Sequence, residues 1–312
     1  MSPFKKAAVK GGGSKGNELV IDVDDFSPKT KRTHSPSGVF DPNRFRSYAT
    51  FQTHENYFRD VTPLLERPVD QFSLHDIEIL QWFAHKDWNY LLSDLDEAYE
   101  NLVKEFYANA IMEGEELKCW VRRKSFSVFV VYLAEILHIN WPMLKNSPIY
   151  DDLCPDEELL RDGLGQDLEF SSNGNSVSVT SLPPKLSVLT IVMFHNLYPL
   201  SRIGYMNLGR ALFLHDLISD VEIDICAHIF HVLRKTVLRT ESRIFVPFYC
   251  LFSRILKPKG ILPTADESPC TKPCPIYMHT IIVGRKSYRK LPHLIVVRAL
   301  AHYPLMKNST TL

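Results

Sequence analysis

Residues 89–110 read NYLLSDLDEAYENLVKEFYANA, and this stretch decides the fold class. Its apolar side chains recur at three- and four-residue steps, and charged side chains fill the positions between them. The pattern predicts one amphipathic helix over 89–110, whose apolar stripe must be buried against a partner surface. The stripe consists of Leu91, Leu92, Leu95, Tyr99, Leu102, Val103, Phe106 and Ala110. The opposite face consists of Asp94, Asp96, Glu97, Glu100, Lys104 and Glu105.

Downstream of this helix, residues 117–129 predict a small β-hairpin. Two short runs, 117–121 and 125–129, flank a turn formed by the basic residues 122–124. Because an isolated hairpin is only marginally stable in water, this one is expected to lie on the helices.

The second half of the chain reads as a run of helices, in which apolar positions recur at helical spacing between proline and glycine residues. Asp224 is a predicted N-cap, because its short side chain can accept a backbone N–H of the first turn. The Ser-, Asn- and Gly-rich residues 171–181 predict a loop or a weak strand. The predicted helices span 130–138, 155 to 163 or 165, 184–197, 206–219, 224–239 and 246–256.

These patterns predict a mainly α, multi-helix globular domain with one small β-hairpin, flanked by disordered basic tails. The domain is expected over 41–260, because aromatic residues become frequent from Phe40 onward. Residues 1–40 are rich in Lys, Gly, Ser, Pro and Asp without an apolar period, which is typical of a disordered tail. Residues 261–312 are Pro-rich and basic and predict a second, irregular tail, with 291–303 as a solitary helix or strand within it.

The formal net charge of the 312-residue chain is zero, but its charges are unevenly distributed. Residues 1–46 hold nine Lys/Arg against five Asp/Glu, residues 257–312 hold nine against two, and the residues between them hold 18 against 29. Because an acidic surface repels a phosphate backbone over a Debye length of roughly 8 Å, nucleic acid is expected to contact only the tails or a local basic patch.

Six cysteines without a secretory signal indicate reduced thiols in an intracellular protein, with nucleus and cytosol both open. The longest apolar run, 244–252, contains Pro247 and is shorter than the ~20 residues that a membrane span needs, so no membrane partner is predicted. Residues 28–32, PKTKR, are read either as a nuclear-import signal or as a basic cluster that solvates the tail.

Several separated segments carry a family resemblance across residues 92–261. They are FYANA at 106–110, VRRK at 121–124, residues 132–139, LGRALFL at 208–214, IDI at 223–225 and KGI at 259–261. In this order and spacing they resemble the putative plant transposon protein domain family. The resemblance implies an origin in mobile elements and carries over no catalytic residues.

The chain departs from the family pattern at two places. Arg123 stands where the family has glycine in the hairpin turn, and residues 127–129 replace the polar and proline start of the next helix. An arginine with positive φ is strained by about 1 kcal/mol or more. Together with the irregular C-terminus, this suggests a degenerating copy, a hypothesis that robust cooperative unfolding of the purified protein would contradict.

Two acidic clusters are candidates for the paired Mg²⁺ site of a DNA-cutting transposase, which needs carboxylates on a β-sheet scaffold. Asp22, Asp24 and Asp25 lie in the predicted tail, and Asp151 and Asp152 lack the spacing of the reverse-transcriptase signature. No such scaffold is predicted. Both clusters are therefore interpreted as solvated loop acids, and no metal or other cofactor is predicted.

Zinc binding has two candidate sets. Cys270, Cys274 and His279 offer three ligands but lack a close cysteine pair and a fourth ligand, so they are interpreted as incidental tail residues. His228 and His231 are three residues apart on a predicted helix that offers no Glu partner on that face. They are interpreted as core or boundary histidines.

His195, His215 and Asp216 with Cys226 form a candidate nucleophile set, since Cys–His pairs activate thiolates. A buried structural cysteine is the favoured interpretation, because Cys226 lies in an apolar helical segment.

Arg210, in the family-like segment 208–214, is expected to be a semi-buried cation that pairs with Asp216 or Glu222. The tryptophans are expected to be aromatic residues of the core or of the boundary between two lobes, into which residues 171–181 would at most divide the domain. They are Trp82, Trp88, Trp120 and Trp141.

Three functional hypotheses remain open. The first is a non-enzymatic, transposon-derived interaction or structural protein, whose helical domain binds a protein partner or a second copy of itself. The second is a nucleic-acid accessory protein whose basic tails make salt-sensitive phosphate contacts. The third and least favoured is a transposition enzyme. The candidate phosphate contacts are Arg285, Lys286, Tyr288, Arg289 and Lys290.

Overall fold

The computed structural model describes residues 38–74, 79–92, 95–140, 148–200, 203–219, 221–239 and 245–277. Within these ranges the chain forms ten α-helices and five short strands. The helices are α1 (Tyr48–Thr53), α2 (Gln71–Leu74), α3 (Ile79–His85), α4 (Glu100–Asn109), α5 (Val130–Leu137), α6 (Glu157–Leu164), α7 (Pro184–Val192), α8 (Leu208–Ile218), α9 (Ile225–Leu238) and α10 (Tyr249–Leu256). The strands are β1 (Ile111–Glu113), β2 (Glu116–Val121), β3 (Lys124–Val128), β4 (Ser176–Ser178) and β5 (Tyr205–Asn207).

The aromatic segment at the start of the domain forms a capped helix. Ser47 Oγ accepts the N–H of Thr50, and Thr50 Oγ1 accepts the N–H of Ser47, so the two side chains satisfy two free donors of the first turn. Helix α1 continues directly into a π-helical turn, His54–Phe58. Both pieces pack on α4 and place Phe51 and Phe58 in the core.

The predicted helix over 89–110 is wrong in its first half. In the described part of this stretch only α4 is α-helical, residues 89–91 form a 3₁₀ turn, and Tyr99 is extended with φ −119°. Backbone carbonyls that would accept hydrogen bonds within a continuous helix instead accept them from distant segments. The carbonyl of Leu92 accepts the N–H of Val69 at 2.9 Å, and that of Ala98 accepts the N–H of Cys270 at 2.7 Å. These tertiary hydrogen bonds outweigh helix propensity.

The predicted polar face of α4 is also wrong, because Lys104 is 4% exposed and Glu105 is fully buried. Lys104 Nζ donates to the carbonyl of Arg59 at 2.6 Å. Glu105 accepts hydrogen bonds from Arg44 and Arg122, which approach from the N-terminal segment and from the hairpin. Every residue of α4 from Leu102 to Asn109 is therefore buried, and the charged residues among them are paired as burial requires.

The predicted hairpin is confirmed, and it belongs to a three-stranded antiparallel sheet in the order β1-β2-β3. Strand β1 was not predicted. Arg122 and Arg123 have φ of 48° and 64° and form the two-residue turn between β2 and β3. Leu117, Cys119 and Val121 point into the core, and β2 packs on α4.

The helices predicted in the second half are present, with boundaries shifted by one to three residues at most positions. The N-cap prediction is confirmed, because Asp224 Oδ1 accepts the N–H of Ala227 at 2.8 Å. The helix predicted to begin at Pro155 begins at Glu157, since Asp156 is its N-cap, and it ends before Gly165. Within the Ser/Asn/Gly-rich stretch, β4 pairs with β5.

The mainly α expectation is correct in outline, since ten helices stand against five strands of three to six residues. Their buried apolar side chains form one continuous core. The backbone of residues 261–277 is largely irregular and lies on this domain, with Ile276 buried beside Val69. Among the described residues, no helix has the length and hydropathy required to cross a membrane.

Candidate functional site

Three segments that are distant in sequence meet beside α9. The helix presents His228, His231 and Lys235 at three- and four-residue spacing, which places them on one face. Next to this face lie a 3₁₀ turn, Tyr150–Asp152, and Tyr198, which follows a π-helical turn after α7. We call this site the Asp151 cluster, which comprises Asp151, Tyr198, Arg210, His228, His231 and Lys235.

Helix α8 approaches the 3₁₀ turn more closely than a side chain would allow. Asn207 caps α8 by accepting the N–H of Arg210 at 2.9 Å. In the first turn, a Cβ added at Gly209 would lie 1.9 Å from the carbonyl oxygen of Tyr150. The glycine therefore permits the contact that brings Asp151 between α8 and α9.

Asp151 is at the centre of the cluster and has three partners. Lys235 Nζ lies 2.7 Å from Asp151 Oδ2, His231 Nε2 lies 3.6 Å from the same oxygen, and the Tyr198 hydroxyl donates to Oδ1. Burial alone would raise the pKa of Asp151, but the hydrogen bonds from Lys235 and Tyr198, together with the nearby His231 ring, outweigh it and hold the pKa well below its usual range. The interpretation of Asp151 as a solvated loop acid is therefore wrong, whereas Asp152 is exposed as expected.

His228 lies deeper than the rest of the cluster. It is 4% exposed, and its ring centroid lies 4.3 Å from that of Tyr198 and 4.7 Å from that of Phe213. Its Nε2 has no hydrogen-bond partner among the described residues. Burial lowers the pKa of His228 to about 3, so the ring is neutral at physiological pH. The interpretation of His228 as a core histidine is confirmed.

Arg210 stacks on an aromatic ring instead of forming the expected ion pair. Its guanidinium carbon lies 4.4 Å from the centroid of the Tyr198 ring, within the range of a cation–π contact. No ion pair joins Arg210 to Asp216 or Glu222 in the described part of the chain. Asp216 instead accepts from the Tyr150 hydroxyl at 2.9 Å and lies 2.9 Å from His215 Nδ1.

The candidate nucleophile set is only partly brought together. His215 and Asp216 are in contact, but no described hydrogen bond joins Cys226 to either histidine. Burial, with a smaller contribution from Asp224, raises the pKa of Cys226 to about 12 and keeps it a thiol. His195 lies near Arg67, and burial lowers its pKa to about 4. The interpretation of Cys226 as a buried structural cysteine is confirmed.

Two cavities differ greatly in size. A cavity of about 10 Å³, enough for roughly one water molecule, adjoins Asp151, Tyr198, Arg210 and Lys235. A groove of about 620 Å³ lies elsewhere, between α3 and the segment that joins α8 to α9. Its chemically functional side chains are those of His85, Lys86, Asp87, Glu222, Asp224 and Cys226.

The comparison with protein families gives one match, in which the sequence model of the putative plant retrotransposon-related domain covers residues 84–262. The chain belongs to this family. The resemblance to a plant transposon-derived domain is thereby confirmed, and the retrotransposon-related domain contains the whole Asp151 cluster and all of the groove except Gln81 and Trp82. Comparisons with curated proteins and with solved structures gave no match.

Several predicted site residues lie outside the described residues. They are Asp22, Asp24, Asp25, Trp141, His279, Arg285, Lys286, Tyr288, Arg289 and Lys290. Of the zinc candidates that are described, Cys270 is half-buried and Cys274 is exposed. Across the described part of the chain, no group of three or more His, Cys, Asp or Glu side chains is arranged to hold a metal ion. Trp88 is a core residue, as expected, and Trp82 and Trp120 are half-buried.

The sequence did not indicate that Tyr198 and Lys235 belong to the retrotransposon-related domain's polar cluster. Lys235 follows His228 and His231 at the spacing of one helix face. This spacing could have predicted that Lys235 lies beside the two histidines. Tyr198 is 47 residues from Asp151, and no local pattern connects them.

Proposed function

We propose that the retrotransposon-related domain of this protein is a non-enzymatic binding module, in which the Asp151 cluster is a structural contact and not a reaction centre. The observation that carries this proposal is the saturation of Asp151. Its two carboxylate oxygens are occupied by Lys235 and Tyr198, with His231 Nε2 3.6 Å away, and the adjoining cavity of about 10 Å³ admits no substrate.

A catalytic carboxylate or tyrosine must reach the proton or the atom on which it acts. In the Asp151 cluster, Tyr198 and Lys235 bond to Asp151 instead, and ligand pockets in general are at least about 300 Å³. The contacts join α9, the 3₁₀ turn and the segment after α7, so their effect is to fix three elements in one arrangement.

The groove is large enough for a ligand, but its polar side chains are not arranged as a buried acid–base pair. Lys86 Nζ donates to the carbonyl of Val221 at 2.7 Å, and Asp224 caps α9. His85, Asp87 and Glu222 are exposed to solvent. Such a surface suits binding better than chemistry, and the proposed ligand of the domain is a protein partner or a second copy of the chain.

The test compares the full chain with Tyr198→Phe and Lys235→Gln, and with Tyr205→Phe as a control at an exposed tyrosine. Turnover of phosphodiester, phosphomonoester, ester and peptide substrates is measured with and without Mg²⁺, together with urea unfolding. We expect no turnover above that of the heat-inactivated protein. Lower stability is expected in the two cluster variants only.

Turnover that disappears in Tyr198→Phe or Lys235→Gln while the unfolding midpoint is unchanged would overturn the proposal. Light scattering over a concentration series tests the binding role on the same samples. A mass that rises reversibly to a defined oligomer supports self-association, and a constant monomer mass excludes a second copy of the chain as the ligand.

A further inference from the structure

The tip of the β2–β3 hairpin contacts the end of α10. Lys124 Nζ donates to the carbonyl of Lys259 at 3.1 Å and to that of Gly260 at 2.8 Å. Two of the segments that carry the family resemblance, 121–124 and 259–261, therefore meet in space. We call the surface formed by Arg123, Lys124, Lys257 and Lys259 the basic surface.

The four cations of the basic surface have no carboxylate partner within the described part of the chain, whereas Arg122 next to them is paired with Glu105 and Glu267. Arg123, Lys124 and Lys257 are exposed, and the Lys259 ammonium lies 4.2 Å from the centroid of the Tyr132 ring. The basic surface is thus a local group of four positive charges beside the paired Arg122 and Glu267.

The backbone of the hairpin turn is strained at two arginines, and only one of them forms contacts within the domain that compensate for the strain. Arg122 and Arg123 both have positive φ, 48° and 64°, at turn positions that favour Asn and Gly. Each non-glycine residue there costs about 1 kcal/mol. Arg122 compensates through its contacts with Glu105 at 2.7 Å and Glu267 at 2.6 Å. Arg123 makes no such contact, so its side chain is available to a ligand.

We propose that the basic surface binds the phosphodiester backbone of a nucleic acid. The cations come from two adjacent turns with no described pocket between them, which suits a repeating line of phosphates. An acidic peptide that adds a strand at the edge strand β3 is the competing ligand, and the comparison with polyglutamate distinguishes it from a nucleic acid. This inference goes beyond the proposed function, because it assigns a ligand class to a surface separate from the Asp151 cluster and the groove.

The test uses the full chain and the double variant Arg123→Gly/Lys257→Gln. Neither side chain makes a described contact, and glycine relieves the positive-φ strain, so the fold is expected to be retained. The matched control is Arg234→Gln/Lys272→Gln, which removes two exposed positive charges from other elements. A third variant replaces Arg285, Lys286, Arg289 and Lys290 with Gln, so that the contribution of the C-terminal region is measured separately.

Binding to duplex DNA, single-stranded DNA and single-stranded RNA of one length is followed by fluorescence anisotropy over a salt series. The double variant is expected to weaken binding at least about tenfold at ~0.1 M salt and to reduce the slope of log K against log salt by about two. The matched control is expected to stay within about twofold of the unmodified chain, since its charges lie off the contact. The probe with the largest loss identifies the nucleic acid that the surface prefers.

Equal losses in the double variant and the matched control would overturn the proposal, as would binding that depends only on the residues at 285–290. Absence of binding by the unmodified chain, or equal binding to polyglutamate or anionic vesicles, would also overturn it. If the double variant does not fold, Arg123→Asn with Lys257→Gln replaces it, because asparagine tolerates positive φ. Failure of this inference leaves the turnover test of the Asp151 cluster unaffected.

Discussion

Asp151 and Asp152 are neighbours in sequence with different environments. The Asp151 side chain is 12% exposed and paired with Lys235, whereas Asp152 is exposed. Asp151→Asn is expected to lower the free energy of unfolding by about 2 kcal/mol or more at pH 7, because Lys235 loses its counter-charge. Asp152→Asn is expected to change it by less than about 0.5 kcal/mol. Urea denaturation of both variants checks this prediction. Equal effects would show that the ion pair between Asp151 and Lys235 makes no net contribution to the free energy of unfolding.

The pKa of Asp151 also predicts how this difference depends on pH. A carboxyl group with a depressed pKa in the fold stabilises it above the pKa of the unfolded chain and loses this contribution as the pH falls. The difference between the unmodified chain and Asp151→Asn should therefore shrink progressively below about pH 4.

His228 predicts a second pH dependence, in a different range. Burial lowers its pKa from 6.5 to about 3, so the fold favours the neutral ring. The contribution of the neutral His228 ring to the free energy of unfolding is complete above pH 6.5 and is lost as the pH falls toward 3. Between pH 7 and pH 5 this loss is roughly 2 kcal/mol, and His228→Phe is expected to remove it from the stability profile. Urea titrations at both pH values measure this change in the free energy of unfolding. The same dependence of stability on pH in His228→Phe as in the unmodified chain would contradict the prediction.

At the scale of elements, the contact between α8 and the 3₁₀ turn depends on Gly209. A Cβ there would lie 1.9 Å from the carbonyl oxygen of Tyr150, so one backbone must move. Gly209→Ala is expected to lower the free energy of unfolding by about 2 kcal/mol or more, despite the better helix propensity of alanine. Gly204→Ala is the matched control, because a Cβ at Gly204 meets nothing within 4 Å. Thermal unfolding distinguishes the two, and similar midpoints would mean that the turn can shift at little cost.

Elements were predictable where local sequence controls them. Asp224 caps α9 through a side chain three residues from its partner, and β2 alternates core and surface side chains along six residues. The start of α4 was not predictable, since the Ala98 carbonyl accepts from Cys270, a residue 172 positions away. Periodicity indicates which residues would suit a helix, but not which backbone groups a distant segment will occupy.

At the scale of the whole molecule, residues 261–277 attach to the domain through both their backbone and the buried side chains of Ile261 and Ile276. Arg67 donates to the carbonyls of Cys274 and Pro275, and Ile276 is fully buried beside Val69. Ile276→Ala is expected to lower the free energy of unfolding by about 3 kcal/mol and to expose residues 261–277 to protease.

Limited proteolysis with mass spectrometry, together with urea unfolding, measures both effects of Ile276→Ala. The control is Thr271→Ala, at an exposed position of the same segment. Cleavage rates that are the same in Ile276→Ala, in the control and in the unmodified chain would show that the side chain does not hold the segment.

The sequence by itself determined the helical character of the domain, the β2–β3 hairpin, the Asp224 cap and the family relationship. These properties depend on residues a few positions apart, or on segment order, and both can be read along the chain. Only the tertiary structure decided the Asp151 cluster and the basic surface. In the Asp151 cluster, Asp151 and Tyr198 are 47 residues apart, and in the basic surface, Lys124 and Lys259 are 135 residues apart. These residues meet because the burial of apolar faces brings distant segments together.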